Sequence, residues 1–425
     1  MGLVNRLSRP GAYIEFVLPP ALLAYFLWAW RVCTSPFLAE YIADGLDLGP
    51  LVAVTYRYAA TGLIASVSAV FLRLYFLPTR FASPPVPPPC ISNLEVIFEV
   101  PRPKDGKAGL ITHDEAASGG PLVVFCNSDT CGGRWKPPRT RHCSECGRCR
   151  LGFDHHCLFV RPSHASLTQV ANCISAPILG PFTALLLLAP VTVLLLAAPV
   201  HRAVIYGARQ AWASAGSNAR VQAYWGWGWS WVVPAGPVAR YAIGFLLAWS
   251  DIEAEDNDMG RVEIGLLWGI GNALALITAA LAFWQVKQIF SGELGNDVMR
   301  ARAYAKASDA VRVARAKGEQ DTKALAAMER FTPEKWFFVP LEHDLYAGAV
   351  VPVLPTESPY NLGRHENFDL LVGRGRGWRW ILPWNCVRSG MSTAEASVWP
   401  INGVVRARLE MEAARLLDNQ SDNRT

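Results

Sequence analysis

The run Cys126–Cys157, CNSDTCGGRWKPPRTRHCSECGRCRLGFDHHC, decides how this chain is read. Six of the ten cysteines lie inside it, Cys173 follows shortly after, and His142, His155, His156 and His164 sit among them. Two tetrahedral zinc sites need eight Cys/His ligands, and eleven candidates are present, so full occupancy leaves three over. A zinc-held fold with a spare thiol and imidazole beside it points to chemistry as well as structure. Only Cys33, Cys90 and Cys386 lie outside the cluster, which argues against a disulfide framework; clustered, reduced thiols fit a cytosolic face.

The rest of the chain reads as membrane protein. Of 425 residues, 51% are hydrophobic and 18% charged, against about 25% charged in soluble domains. The formal net charge of +5 suits an anionic leaflet or an anionic cofactor and does not indicate nucleic acid. The uncharged run Phe16–Trp30 lacks a small-residue cleavage site before Arg31, so it reads as an anchor and first span. Tyr58–Leu77 reads as a second span, and ILGPFTALLLLAPVTVLLLAAPV, 178–200, as a third, kinked by Pro181 and Pro190. The fourth is Ile264–Val286. Between the third and fourth, Tyr224, Trp225, Trp227, Trp229 and Trp231 alternate as rings do at a headgroup boundary, which favours an interfacial segment over a fifth span.

Other stretches give local expectations. Ala82–Pro89 is proline-rich and reads as a stiff extended spacer. Leu94–Val100 and Pro121–Phe125 read as short strands, and the basic Arg300–Arg330 as a cytosolic helix. Arg6, Arg9, the basic cysteine cluster and Arg300–Lys317 belong on one side of the bilayer, and the acidic 32–50 and 251–258 segments on the other. Four crossings satisfy this and put both termini and the cluster in the cytosol.

The pair Cys126 and Cys131, the run His142-Cys143-x2-Cys146-x2-Cys149, the tetrad Asp154-His155-His156-Cys157 and then Asn172-Cys173 carry a likeness. The pattern resembles the DHHC-type protein S-acyltransferases (palmitoyltransferases), integral membrane enzymes that carry fatty acid from acyl-CoA to protein cysteines. Spacing alone does not choose which histidine binds metal. The resemblance implies one zinc ion on Cys126, Cys131, His142 and Cys149, and a second on Cys143, Cys146, His156 and Cys173. It leaves Cys157 as nucleophile, His155 as its base and Asp154 orienting that imidazole. Palmitoyl-CoA is the implied acyl donor, and proteins with accessible cysteines are the implied acceptors. Arg134, Lys136, Arg139, Arg141, Arg148 and Arg150, set against the single acid Glu145, would meet CoA phosphates, where Arg gives bidentate geometry; the bland alternative is a solvated face near anionic lipid. SPYNLGRHENFDLLVG, 358–373, resembles the family's C-terminal motif, in which an aromatic residue and an Asn, here Tyr360 and Asn367, dock the tail against the membrane domain.

The implied fold is an α-helical integral membrane protein with four transmembrane helices and a small cytosolic zinc-bound cysteine-rich domain between the second and third. Its parts are 1–80 with the first two helices, 81–177 with the spacer and zinc domain, 178–290 with helices three and four, and 291–425 as a cytosolic tail. Some positions depart from the family pattern. The first cysteine pair is spaced by four residues, Ser175 replaces a glycine, and SGEL, 291–294, stands roughly where a Thr-Thr-x-Glu motif is expected. Arg161–Val170 reads as a ten-residue insertion, either a loop or translated intron, which if real could displace Cys173 in favour of His164. The alternatives to the enzyme are a catalytically impaired zinc-binding membrane scaffold of the same fold and a membrane-anchored zinc ubiquitin ligase, whose cross-brace spacing does not match.

Overall fold

The computed structural model describes residues 10–76, 84, 86–117, 122–157, 173–232, 236–255, 261–373 and 393–422. Among these, Pro50–Tyr75, Ala176–Ala197 and Val262–Ser291 are long and apolar enough to cross a membrane, with mean hydropathies of 1.4, 2.3 and 1.9. Val17–Cys33 and Pro36–Gly45, bent by 49° at the break, make a fourth if the pair is one span. The longer helices are α1 (Pro10–Cys33), α2 (Pro50–Phe76), α3 (Leu179–Ala197), α4 (His201–Ala215), α5 (Ala219–Gly226), α6 (Gly236–Glu255) and α7 (Arg261–Ser291). The protein is thus a mainly helical multi-pass membrane protein, and its cysteine-rich segment lies between α2 and α3 in the chain.

The first span is longer than the sequence suggests. Residues 32–50 do not form a simple acidic loop: Ser35 caps a new helical start at Pro36, and the chain continues through Tyr41–Gly45 as a π-helix. Residues 251–255 of the second acidic stretch end α6, and no helix between α3 and α7 is among those that pass by length and hydropathy in the described residues, in keeping with the preference for an interfacial segment over a fifth span. Of the spacer at 82–89, residues 82, 83 and 85 lie outside the described residues; 84 and 86–88 form no helix or strand, and its last proline opens the short helix Pro89–Ser92, where a missing amide hydrogen is harmless.

Two compact units divide the chain. One comprises 20–69 and 185–282. Its core of Leu38, Ile42, Val204, Ala211, Val221 and Trp249 holds the helices between the third and fourth spans. Within it the Tyr25 hydroxyl donates to the Leu267 carbonyl at 3.2 Å and the Tyr56 hydroxyl to that of Leu196 at 2.9 Å, meeting polar groups that lipid cannot satisfy.

The other unit comprises 1–19, 70–184 and 283–425. Its largest sheet has the order β1-β7-β8-β2, all antiparallel, from β1 (Phe98–Val100), β2 (Gly109–Thr112), β7 (Trp336–Pro340) and β8 (Tyr346–Pro352). The apolar face of that sheet packs Phe98 and Phe338 with ring centroids 5.4 Å apart and extends through Ile91 and Leu122 to Trp135 of the cysteine-rich segment. Burying a ring such as Phe338 contributes about 2–3 kcal/mol. Two smaller ladders carry the cysteines: β3 (Arg141–Cys143) with β4 (Arg148–Arg150), and β5 (Phe153–His156) with β6 (Cys173–Ser175). Pro121–Phe125 is not a full strand. Among the described residues of that stretch only Phe125 bridges, to Trp135, and the chain turns at Cys126 immediately after it.

The basic region is a hairpin of two helices, α8 (Gly295–Ala316) and α9 (Thr322–Phe331), broken at Gly318 with φ 75°. The tail then adds α10 (Arg364–Leu371) and α11 (Gly403–Asp422), the latter tied back by Arg408 to Glu357 at 2.6 Å and to the Pro352 carbonyl at 3.0 Å.

Candidate active site

Strand alternation sorts the ligands. His142 stands opposite Cys149 in the β3–β4 ladder, so both side chains fall on one face, while Cys143 points to the other. In the same way His156 stands opposite Cys173 in β5–β6, and its neighbour His155 is turned away. This register makes the choice between the histidines that spacing left open. Cys126, Cys131, His142 and Cys149 form one cluster and Cys143, Cys146, His156 and Cys173 the second, each with its ligand atoms within 4.8 Å of one another.

The separations fit a tetrahedral dication. Bonds of about 2.3 Å to sulfur and 2.0 Å to nitrogen give tetrahedral edges of roughly 3.5–3.8 Å. In the first cluster His142 Nδ1 lies 3.6 Å from Cys126 Sγ and 3.1 Å from Cys131 Sγ, and Cys131 Sγ is 3.8 Å from Cys149 Sγ. In the second, His156 Nδ1 lies 3.5 Å from both Cys143 and Cys146 Sγ and 3.8 Å from Cys173 Sγ. Hydrogen bonds from Cys143 and Cys146 push the Cys173 thiol up, and burial pushes up that of Cys149, so each cluster of sulfurs calls for a cation to hold it as thiolate. Three sulfurs and one imidazole make a closed, structural zinc set. Cys173 keeps its place beside Cys146 at 3.2 Å; His164 and the insertion Arg161–Val170 lie outside the described residues.

Cys157 is outside both clusters and buried. His155 Nδ1 donates to Asp154 Oδ2 at 2.6 Å, which fixes the tautomer and leaves the other ring nitrogen for the Cys157 thiol, to which the imidazole is hydrogen-bonded. Burial opposes the imidazolium, but the bonds to Asp154 and Cys157 outweigh it and push His155 up to about 10. Phe182, in the first turns of α3, stands edge-on to the His155 ring at 5.4 Å.

Asp154 has a second partner far away in sequence. Its Oδ1 accepts the backbone N–H of Gly295 at 2.6 Å, the first residue of α8, so the helix N-terminus faces the carboxylate. A β-carbon on Gly295 would come to 3.1 Å from Asp154 Oδ2, so glycine permits this close approach. Two residues on, Asp297 takes Arg139 Nε at 2.9 Å. Burial pushes the Asp297 carboxyl up, but Arg139 and Lys335 outweigh it and hold it at about 2. After the last span, Gly292 within SGEL (291–294), Gly295 and Asp297 all meet the cysteine-rich segment.

Arg139 takes a left-handed φ of 58°. Its guanidinium also bonds the Gly292 carbonyl at 2.9 Å and lies 4.8 Å and 4.4 Å from the ring centroids of Tyr360 and Trp399. Trp399, fully buried, presses on Gly152, where a β-carbon would lie 2.7 Å from the indole. Of the six basic residues singled out, Arg139 and Arg150 are thus buried within the fold, Arg134 is exposed, and Lys136, Arg141 and Arg148 are half-buried. Asn367 bonds the Phe290 carbonyl at the end of α7 at 3.0 Å and receives the Leu362 N–H at 2.9 Å; Tyr360 donates to Glu99.

The family model described as DHHC palmitoyltransferase matches residues 125–163. The cysteine-rich segment is a DHHC-type domain. Among curated relatives, Probable protein S-acyltransferase 13 of Arabidopsis thaliana is 46% identical over 43 residues, covering 10% of this chain and 11% of that protein. Probable protein S-acyltransferase 14 is 40% identical over 62 residues, 15% and 16% of the two chains. Protein S-acyltransferase 10 is 60% identical over 25 residues, 6% and 7%. The alignments thus span less than a fifth of each relative's length.

Proposed function

We propose that this protein is an S-acyltransferase that moves a palmitoyl group from palmitoyl-CoA to cysteines of substrate proteins through an acyl-Cys157 intermediate. The reading rests on one observation: Cys157 is left out of both metal sets and bonded to an imidazole that Asp154 orients. The Cys157 sulfur, its proton held on His155, attacks the thioester carbonyl; the bond to CoA sulfur breaks, and CoA leaves as thiol with the proton from His155. An acceptor cysteine then gives its proton to His155, attacks the acyl-Cys157 carbonyl and frees the Cys157 sulfur. When bound, the two zinc ions supply structure: they fix the ladders that aim His155 and Cys157.

Donors for an anionic headgroup lie on β3 and β4. Arg141 and Arg150 stand opposite each other, and Arg141 Nε with Arg150 Nε and Nη1 have no hydrogen-bond partner among the described residues. CoA phosphates would meet this need, with Arg134, Lys136 and Arg148 around it. Arg139 is not part of that set, because Asp297 holds it. The acceptors are cytosolic or membrane proteins with accessible cysteines, and the site faces the cytosol, where thiols stay reduced.

Incubation of the purified full chain with a clickable palmitate analogue as its CoA ester tests this. Label bound through a hydroxylamine-sensitive bond and absent in Cys157→Ser is expected. Equal labelling of wild type and variant, or none of either with both zinc ions in place, overturns it.

A further inference from the structure

Residues 201–250, between the third and fourth spans, carry Arg202, Arg209, Arg220 and Arg240 and neither Asp nor Glu. Their fold separates two faces. Val204, Ala211 and Ala215 of α4 point into the core with Val221 and Trp249. On the outside, Arg202, Tyr206, Arg209 and Trp212 run along α4, and Trp212 is 72% exposed. Next come Trp227, Trp229 and Trp231, all exposed, Trp227 capping the short turn Gly228–Trp231 and the other two on it.

That turn is held rigidly. Arg240, itself 8% exposed, reaches back from α6, bonds Ser230, and lies 4.2 Å from the Trp231 ring centroid and 5.9 Å from that of Trp225. The outward rings are therefore presented by a packed frame. A water-facing surface does not gain from several exposed indoles. A phospholipid surface does, since indole rings settle at the headgroup level and the exposed Arg202 and Arg209 reach phosphates, whereas Arg220 pairs with Asp251 and Arg240 is held inside. Both ends of the segment already lie at that boundary: α4 starts four residues after α3 ends, and α7 follows α6 closely, with α3 and α7 both candidate spans.

We infer that 201–250 is a monotopic platform, lying on the bilayer surface where the third span ends, with Trp212, Trp227, Trp229 and Trp231 set among the phospholipid headgroups. It is independent of the acyltransfer reading. The occupant of this face is lipid; a second copy or an accessory protein covering it would be a different result.

The full chain in phosphatidylcholine nanodiscs, with or without bromine on the upper acyl carbons, tests it. The emission of Trp227→Phe/Trp229→Phe/Trp231→Phe is subtracted from that of wild type. An unchanged melting transition of the variant, followed by the far-ultraviolet circular dichroism of its helices, shows that it folds. The difference emission is expected to lose roughly half its intensity in brominated lipid and little with aqueous iodide. Quenching by iodide and not by bromine puts the rings in water, and quenching by neither puts them against protein; either overturns the inference.

Discussion

Asp154→Asn isolates what the carboxylate does. Asp154 is nearly fully buried and accepts two short bonds, from His155 Nδ1 and from the Gly295 N–H, each at 2.6 Å. Asn keeps the shape and one acceptor oxygen but no charge, so the helix terminus can still be met. The bond to a charged imidazole is weakened by about 1.5–3 kcal/mol, which is roughly a 10- to 150-fold loss in rate at 1.36 kcal/mol per decade. The assay is the rate of acyl-Cys157 formation from palmitoyl-CoA in single turnover, read with zinc content. The pH profile moves too: Asp154 is the strongest contribution holding the His155 proton to about 10, so the alkaline limb shifts to lower pH in the variant. An unchanged rate and unchanged limb, with both zinc ions retained, would refute the orienting role.

Three further outcomes are expected. Asp297→Asn leaves Arg139 buried without its counter-charge and destabilises the unit by about 3 kcal/mol, read as earlier thermal loss of zinc. The folded Asp297 value of about 2 lies below the ordinary ~3.9. The pair therefore stabilises the protein above about pH 4 and is lost as pH falls towards 2, a dependence that a titrated melting series shows in wild type and not in the variant. Cys143→Ser removes a ligand from the second cluster alone, so bound zinc falls from about two ions to one, measured by metal analysis. Asn367→Ala strands the Leu362 N–H and the Phe290 carbonyl at about 1–3 kcal/mol, and limited proteolysis near 361–363 detects the loosened tail.

The zinc module was legible because its ligands sit in one short run where residue type and spacing repeat. Even there the linear pattern did not separate His155 from His156; the antiparallel register with Cys173 does, by placing them on opposite faces. Arg139 shows where a local reading ends. It stands in a basic run, yet its partner Asp297 is 158 residues away and its ring contacts come from Tyr360 and Trp399. Nothing near it in sequence signals that burial. Gly295 was hidden for the same reason, since its role is a backbone N–H. The spans followed from uncharged length, except that Ser35 and Pro36 restart the first one as a bent pair. The strands at 336–352, apolar and rich in β-formers, were masked by the polar helices preceding them.

Native mass measurement of the purified chain after exposure to palmitoyl-CoA reads metal and acyl group in one spectrum, and so tests whether Cys157 is free of zinc and reactive. Wild type should carry two zinc ions and one palmitoyl group mapped to Cys157, and Cys157→Ser two zinc ions and no acyl group. Loss of a zinc ion in the variant, or an acyl group on another cysteine, would contradict the account.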